Sequence, residues 1–129
     1  MTKERLAKLT ASVGAGLVFG TAGFHLSGYG SVTAQAPTEL QPLMAALWIA
    51  GGISLILSAL LVVAAIPLFI ARRRALLAIA ALTPFSIAIL QIAYLGFLPP
   101  TALLLLDTAV LLLAGELGRA HQPVPVAAP

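Results

Sequence analysis

Long apolar runs divide the chain, and few polar residues interrupt them. Four runs are long enough to be transmembrane helices, at about residues 9–27, 43–70, 75–97 and 101–118. A helix crosses the hydrocarbon core of a bilayer with about 20 mostly apolar residues. Strands of a membrane barrel would alternate polar and apolar positions. That alternation is missing, so the expected fold class is all-α. The second run is the longest and must tilt, bend or protrude. Pro67 near its end and Pro84 inside the third run predict bends, because proline has no N–H for the helical ladder.

The connections are marked by glycine and proline. Gly28, Gly30, Pro37 and Pro42 bracket the first, where Thr38 and Gln41 have the spacing of a capping box. Pro99 and Pro100 separate the third and fourth runs, and proline suits the first turn of a helix. The segment 119–129 carries three prolines and reads as a flexible tail. The whole chain, 1–129, is expected to be one transmembrane domain.

Charge placement gives the orientation. Lys3, Arg5 and Lys8 precede the first run, Arg72, Arg73 and Arg74 lie between the second and third, and Arg119 follows the fourth. All seven basic residues therefore fall on one side, while the opposite connections hold a single acid, Glu39. Lysine and arginine collect on the cytoplasmic side of membrane proteins. The expectation is an integral membrane four-helix bundle, up-down-up-down, with both termini cytoplasmic. Residues 1–36 imitate a signal peptide ending at Ala34-Gln35-Ala36. The apolar run is too long for a signal h-region and Pro37 follows it, so the first span is expected to be retained.

Composition narrows the classes. Hydrophobic residues make up 60% of the chain and charged residues 9%, with a mean hydropathy of +1.07. A soluble domain has roughly a quarter of its residues charged, so a soluble enzyme is excluded. Cysteine is absent, which removes disulfide frameworks and thiolate sites. The pI of about 10.0 would suit nucleic acid. The basic residues flank the spans, however, so anionic membrane lipids are the expected partners instead. Abundant alanine and leucine point to a bacterial inner membrane.

Two sets of residues within the spans stand out. Ser12, Gly16 and Gly20 recur every four residues in the first, and Ser54 and Ser58 do so in the second beside Gly51 and Gly52. Small residues let helices in lipid approach closely, here either within one bundle or between copies in a homo-oligomer. The second set is polar. His25, Trp48, Gln91, Tyr94 and Asp107 all fall in the non-cytoplasmic half, one or two from each span. Buried polar groups in a membrane are costly and mark function or structural bonds. His25 shares a face with Gly14, Val18, Thr21 and Ala22, opposite Gly16 and Gly20, while Asp107 shares one with Leu111 and Ala114. A His25–Asp107 contact between neighbouring helices follows if both face inward.

Each polar residue has two readings. His25 either reaches the membrane surface or enters a site. Trp48 and Tyr94 are either interfacial belt residues or ligand contacts, and Gln91 either clamps helices or binds. Asp107 is either an interhelical hydrogen bond or a ligand, proton or ion site. Glu116, near Arg119 and the arginine cluster, is expected to form an ion pair at the cytoplasmic rim. His121 lies in the tail, so one histidine and one carboxylate remain, too few for a metal site. No cofactor fingerprint, phosphate loop or nucleophile elbow is present. Three functions remain. The favoured one is binding or transport of a lipid-like, mostly apolar small molecule in a pocket built from His25, Trp48, Gln91, Tyr94 and Asp107. The second is an accessory subunit of a larger membrane complex, and the third a membrane-embedded acid–base enzyme using His25 and Asp107.

Overall fold

The structure, a computed structural model, describes residues 2–68 and 70–119; the expected flexible tail with His121 lies outside them. Helix α1 runs from Lys3 to Ser27. It begins well before the apolar run because its polar start is held locally. The Thr2 hydroxyl accepts the Arg5 N–H at 3.3 Å, and Glu4 sits in the first turn, paired with Lys8 at 3.1 Å. A side-chain cap and an acid at the helix N-terminus both favour that start. At Gly28 the N–H turns back to the His25 carbonyl, and a short helix α2, Tyr29–Gln35, follows at once. The glycines of this connection thus sit within helical turns, not in an open loop.

A 3-10 turn at Thr38–Leu40 leads into α3, Gln41–Ala65. The expected capping box does not form. The Gln41 side-chain amide donates instead to the Ala36 carbonyl at 3.2 Å. Helix α3 stops short of the apolar run's end, where Ile66 and Leu68 N–H groups return to Val63 and Ala65 carbonyls around Pro67. Helix α4 spans Ile70–Leu95 and includes Arg72, Arg73 and Arg74, which form helical turns and not a loop. Gly96 makes the turn at its other end with φ of 79°, a left-handed conformation suited to glycine. Helix α5, Pro99–Arg119, starts on two prolines that need donate nothing there.

The four long helices pack in a ring of neighbours: α1 against α3 and α5, and α4 against α3 and α5. The interior is built from small side chains. Ala7, Ala11, Ala15, Ala59, Ala80 and Ala114 are all buried, around Leu55, Leu77, Leu104 and Leu111. The larger apolar side chains, Leu43, Leu57, Leu82, Leu90 and Phe97 among them, point outward. A soluble protein would place its large apolar residues inside. With four helices long and apolar enough to cross a membrane, this is the arrangement of an integral membrane protein.

Of the two readings of the small-residue stripe, packing within the bundle is corrected for α1. Ser12, Gly16 and Gly20 are exposed, and a Cβ added at Gly16 or Gly20 would meet nothing within 4 Å. The inward face of α1 is instead the one that carries Gly14, Val18, Thr21, Ala22 and His25. The two faces are opposite, so only one can turn inward. Alanines at 7, 11, 15 and 22 already make that face small. Gly14 is the glycine in close contact, since a Cβ there would lie 2.8 Å from Leu111 Cδ2. Ser54 is likewise exposed, whereas Ser58 is buried.

Ser58 has a specific task. Pro84 lies inside α4 and cannot supply the N–H that would bond the carbonyl four residues back, at Ala80. The Ser58 hydroxyl donates to that Ala80 carbonyl from α3 at 2.8 Å, fully buried. Near the arginine end, Arg74 pairs with Glu116 at 2.8 Å, the rim ion pair expected for Glu116. Arg73 turns inward, 2% exposed, and neither Nη1 nor Nη2 has a hydrogen-bond partner.

Replacing Ser58→Ala bares the Ala80 carbonyl and is expected to cost about 1 kcal/mol in a detergent unfolding titration, within the range of interhelical hydrogen bonds in membranes. In a Pro84→Ala background, where the helix can supply the missing N–H, the same change should cost distinctly less. Equal costs in both backgrounds would show that the two features are not coupled.

Candidate functional site: a groove between two helices

Helices α3 and α4 meet at the Ser58–Ala80 bond and leave a groove toward the Gly96 end. The groove is a cavity of about 840 Å³, within the size range of small-molecule sites. Its α3 wall is a stripe at helical spacing, Leu47, Ala50, Gly51 and Ser54, with Trp48 beside it. Its α4 wall is a second stripe, Thr83, Ser86, Ile87, Leu90, Gln91 and Tyr94. His25 enters from α1 behind Gly51. Apolar side chains dominate both walls, and none of the lining residues is Asp, Glu, Lys or Arg.

The α1–α3 contact beside the groove is set by His25 and Trp48. Their rings stack with centroids 4.1 Å apart and planes 8° from parallel. The His25 Nε2–H donates to the Trp48 carbonyl at 3.1 Å; because a carbonyl only accepts, the ring proton is on Nε2. In return the Trp48 indole N–H donates to the His25 carbonyl, which lies at the C-terminal end of α1 and accepts the Gly28 N–H as well. Glycines make this approach feasible. A Cβ at Gly51 would lie 3.0 Å from His25 Nε2, one at Gly52 2.3 Å from Leu26 Cδ2, and one at Gly28 3.2 Å from the Trp48 ring. Trp48 and His25 are therefore a reciprocal interhelical clasp, which no spacing rule could foretell across 23 residues.

Gln91 and Thr101 form the second clasp, between α4 and α5. The Thr101 hydroxyl accepts from the Leu98 N–H at 3.2 Å and donates to Gln91 Oε1 at 3.0 Å. This chain of bonds turns the Gln91 amide so that its Nε2 group is the end left over. Gln91 is buried, while Tyr94, one turn further on, is 81% exposed at the groove's mouth.

Of the five polar residues expected at one site, four line this groove: His25, Trp48, Gln91 and Tyr94. Asp107 does not. It is 1% exposed, its polar neighbour is Thr21 of α1, and its Oδ2 has no hydrogen-bond partner. The His25–Asp107 contact is not formed, because Trp48 holds the imidazole on the α3 side while Asp107 meets Thr21 one turn away along α1. Among the described residues no group of three metal-ligating side chains exists. Sequence reasoning passed over Thr83 and Ser86 as site residues and assigned Ser54 to packing. Their signal was available as the 83, 86, 90, 94 stripe on one face of α4.

The protein contains one tryptophan, so the His25–Trp48 stack can be read directly. His25→Leu is expected to flatten the near-ultraviolet circular dichroism of Trp48 and to lower stability by about 1 kcal/mol, the scale of an aromatic pair. Gly51→Ala, which presses a methyl against a ring held on its other side by Trp48, should change the same band. An unaltered band in both variants would refute the clasp.

Comparison with known protein families, curated proteins and solved structures finds no match to this chain, so the groove's chemistry rests on its own residues.

Proposed function

We propose that the protein binds a lipid-like, mostly apolar small molecule in the α3–α4 groove and holds or passes it within the membrane. The observation that carries this reading is the groove itself: a cavity of about 840 Å³, apolar along both walls, with a few polar groups gathered at it. Sites for small molecules have that make-up, mainly apolar lining with a small number of placed polar groups. In this proposal the chain is an up-down four-helix bundle in a bacterial inner membrane. The arginine end and both termini lie in the cytoplasm, following the basic residues. The groove then belongs to the non-cytoplasmic half of the bilayer, and its ligand enters sideways from the lipid. Asp107 is a structural carboxyl paired with Thr21 and plays no part in that binding.

A second reading, an accessory subunit of a larger complex, is favoured by one observation. The Ser12, Gly16, Gly20 face of α1 is small and exposed, and a Cβ added at Gly16 or Gly20 would meet nothing within 4 Å, as on a face that receives another helix.

Native mass spectrometry of the protein released from its own membranes separates these readings. The proposal expects a discrete bound mass of a few hundred daltons or more that disappears in Ala50→Phe, which fills the groove, and persists in Asp107→Asn. A bare chain in both forms would contradict it. A second polypeptide in fixed ratio, lost in Gly16→Leu, would establish the subunit reading instead.

A further inference from the structure

In a helix surrounded by lipid, serine and threonine usually return their hydroxyl to the carbonyl three or four residues back. Thr10, Ser12, Ser27 and Thr108 do so here, and Ser58 and Thr101 bond across to neighbouring helices. Within the four long helices, three described serine and threonine hydroxyls make no hydrogen bond: Ser54, Thr83 and Ser86. All three line the groove. The Gln91 amide adds to them, because its oxygen is taken by Thr101 and its Nε2 group is not.

These four groups share a chemistry. Each can donate a hydrogen bond, and no charged side chain lines the groove to attract an ion. A charged headgroup brought here would lose its hydration with nothing to compensate it. A hydrocarbon would leave the donors unsatisfied. We infer that the groove takes an uncharged, lipid-soluble molecule bearing carbonyl oxygens, of the quinone class, with its ring between α3 and α4 and its oxygens on Gln91 at one side and on Ser86 and Thr83 at the other. This rests on the binding function proposed above and specifies its ligand.

The spacing fits. Gln91 and Ser86 are five residues apart on α4, about 7.5 Å along the axis, and Gln91 and Thr83 are eight apart, about 12 Å. Opposite oxygens of a quinone ring are about 5 Å apart, and a hydrogen bond of about 3 Å at each makes the span roughly 8–11 Å. A flat ring also suits a slot walled by Leu90, Ile87 and the edge of the His25–Trp48 stack. The groove is open beside the exposed Tyr94, which leaves room for an isoprenoid or alkyl tail to run into lipid.

The test uses the full chain in nanodiscs of zwitterionic lipid, with decylubiquinone as the probe and the fluorescence of Trp48 as the signal, since quinones quench tryptophan on contact. The expected result is saturable quenching that Ala50→Phe abolishes and that the double variant Thr83→Val/Ser86→Ala weakens about tenfold, the effect of roughly one hydrogen bond lost in an apolar site. Neither hydroxyl bonds within the protein, so that double variant should keep the wild-type circular dichroism and melting point. Dodecylbenzene, a ring with a tail and no carbonyl, should not displace the quinone. Saturable quenching that Ala50→Phe removes but Thr83→Val/Ser86→Ala leaves unchanged would overturn carbonyl recognition while keeping the groove as a binding site. Equal competition by dodecylbenzene would do the same. Quenching that rises linearly in every variant would overturn the quinone assignment; a ligand still seen by native mass spectrometry would then leave the binding function standing, and a bare protein would remove both.

Discussion

The carbonyl of Ala80 is the point on which this structure turns. Pro84 deprives it of its helical donor, and in hydrocarbon no water can take that place. Ser58 closes the gap from α3 at 2.8 Å. The bond ties α3 to α4 near mid-helix and removes a defect that would otherwise face an apolar interior. Pro84 is itself buried, so the defect cannot drift to the surface. From this tie outward α3 and α4 are walls of a groove, and the residues beyond it on both helices face each other across space.

The same demand for internal satisfaction organises the other helix contacts. At the end of α1 the His25 carbonyl, which takes the Gly28 N–H, also accepts the Trp48 indole N–H. The start of α5 leaves the Leu98 N–H, and Thr101 answers that and passes the bond on to Gln91. Side chains thus answer several helix ends and breaks, and the bonds of Ser58, Trp48 and Thr101 also fix one helix against the next. The interior supplies little specificity of its own, being largely alanine. Close approach comes from those alanines together with Gly14, Gly51 and Gly52, where an added Cβ would lie within 3.0 Å of a neighbour. Among the described residues, groups left without a partner include Ser54, Thr83, Ser86 and the Gln91 amide nitrogen on the groove, and Asp107 Oδ2 and Arg73 Nη1 and Nη2 away from it.

Much of the fold was legible because length and hydropathy decide membrane helices almost alone. Four spans, their class and the break at Pro99-Pro100 follow from counting. The ends were less legible, since Thr2, Glu4 and Lys8 extend α1 through polar turns and Arg72–Arg74 continue α4, neither of which an apolar run can reveal. The inward face of α1 exposes a real conflict. Small residues at 12, 16 and 20 and the polar His25 at 25 lie on opposite faces, so both cannot be buried. The face that turns inward is the one with His25 and the alanines. Four of the five expected site residues do gather, yet Asp107 does not, because depth along a helix says nothing about which neighbour a side chain meets. The partnership of His25 with Trp48 depends on how α1 crosses α3, and that is set by Gly51 and Gly52, which look in sequence like ordinary small residues.

The central claim is that α3 and α4 stand apart beyond the Ser58–Ala80 tie and hold a molecule between them. Electron cryo-microscopy of the full chain in lipid nanodiscs, enlarged by a rigid helical fusion partner, tests it most directly. The account predicts an elongated, non-protein density between the two helices that reaches Ser86 and Gln91 and passes Tyr94 into the bilayer. Side chains of α3 and α4 interdigitating along their whole length, with Ser54 and Ser86 in contact and no density between them, would contradict it.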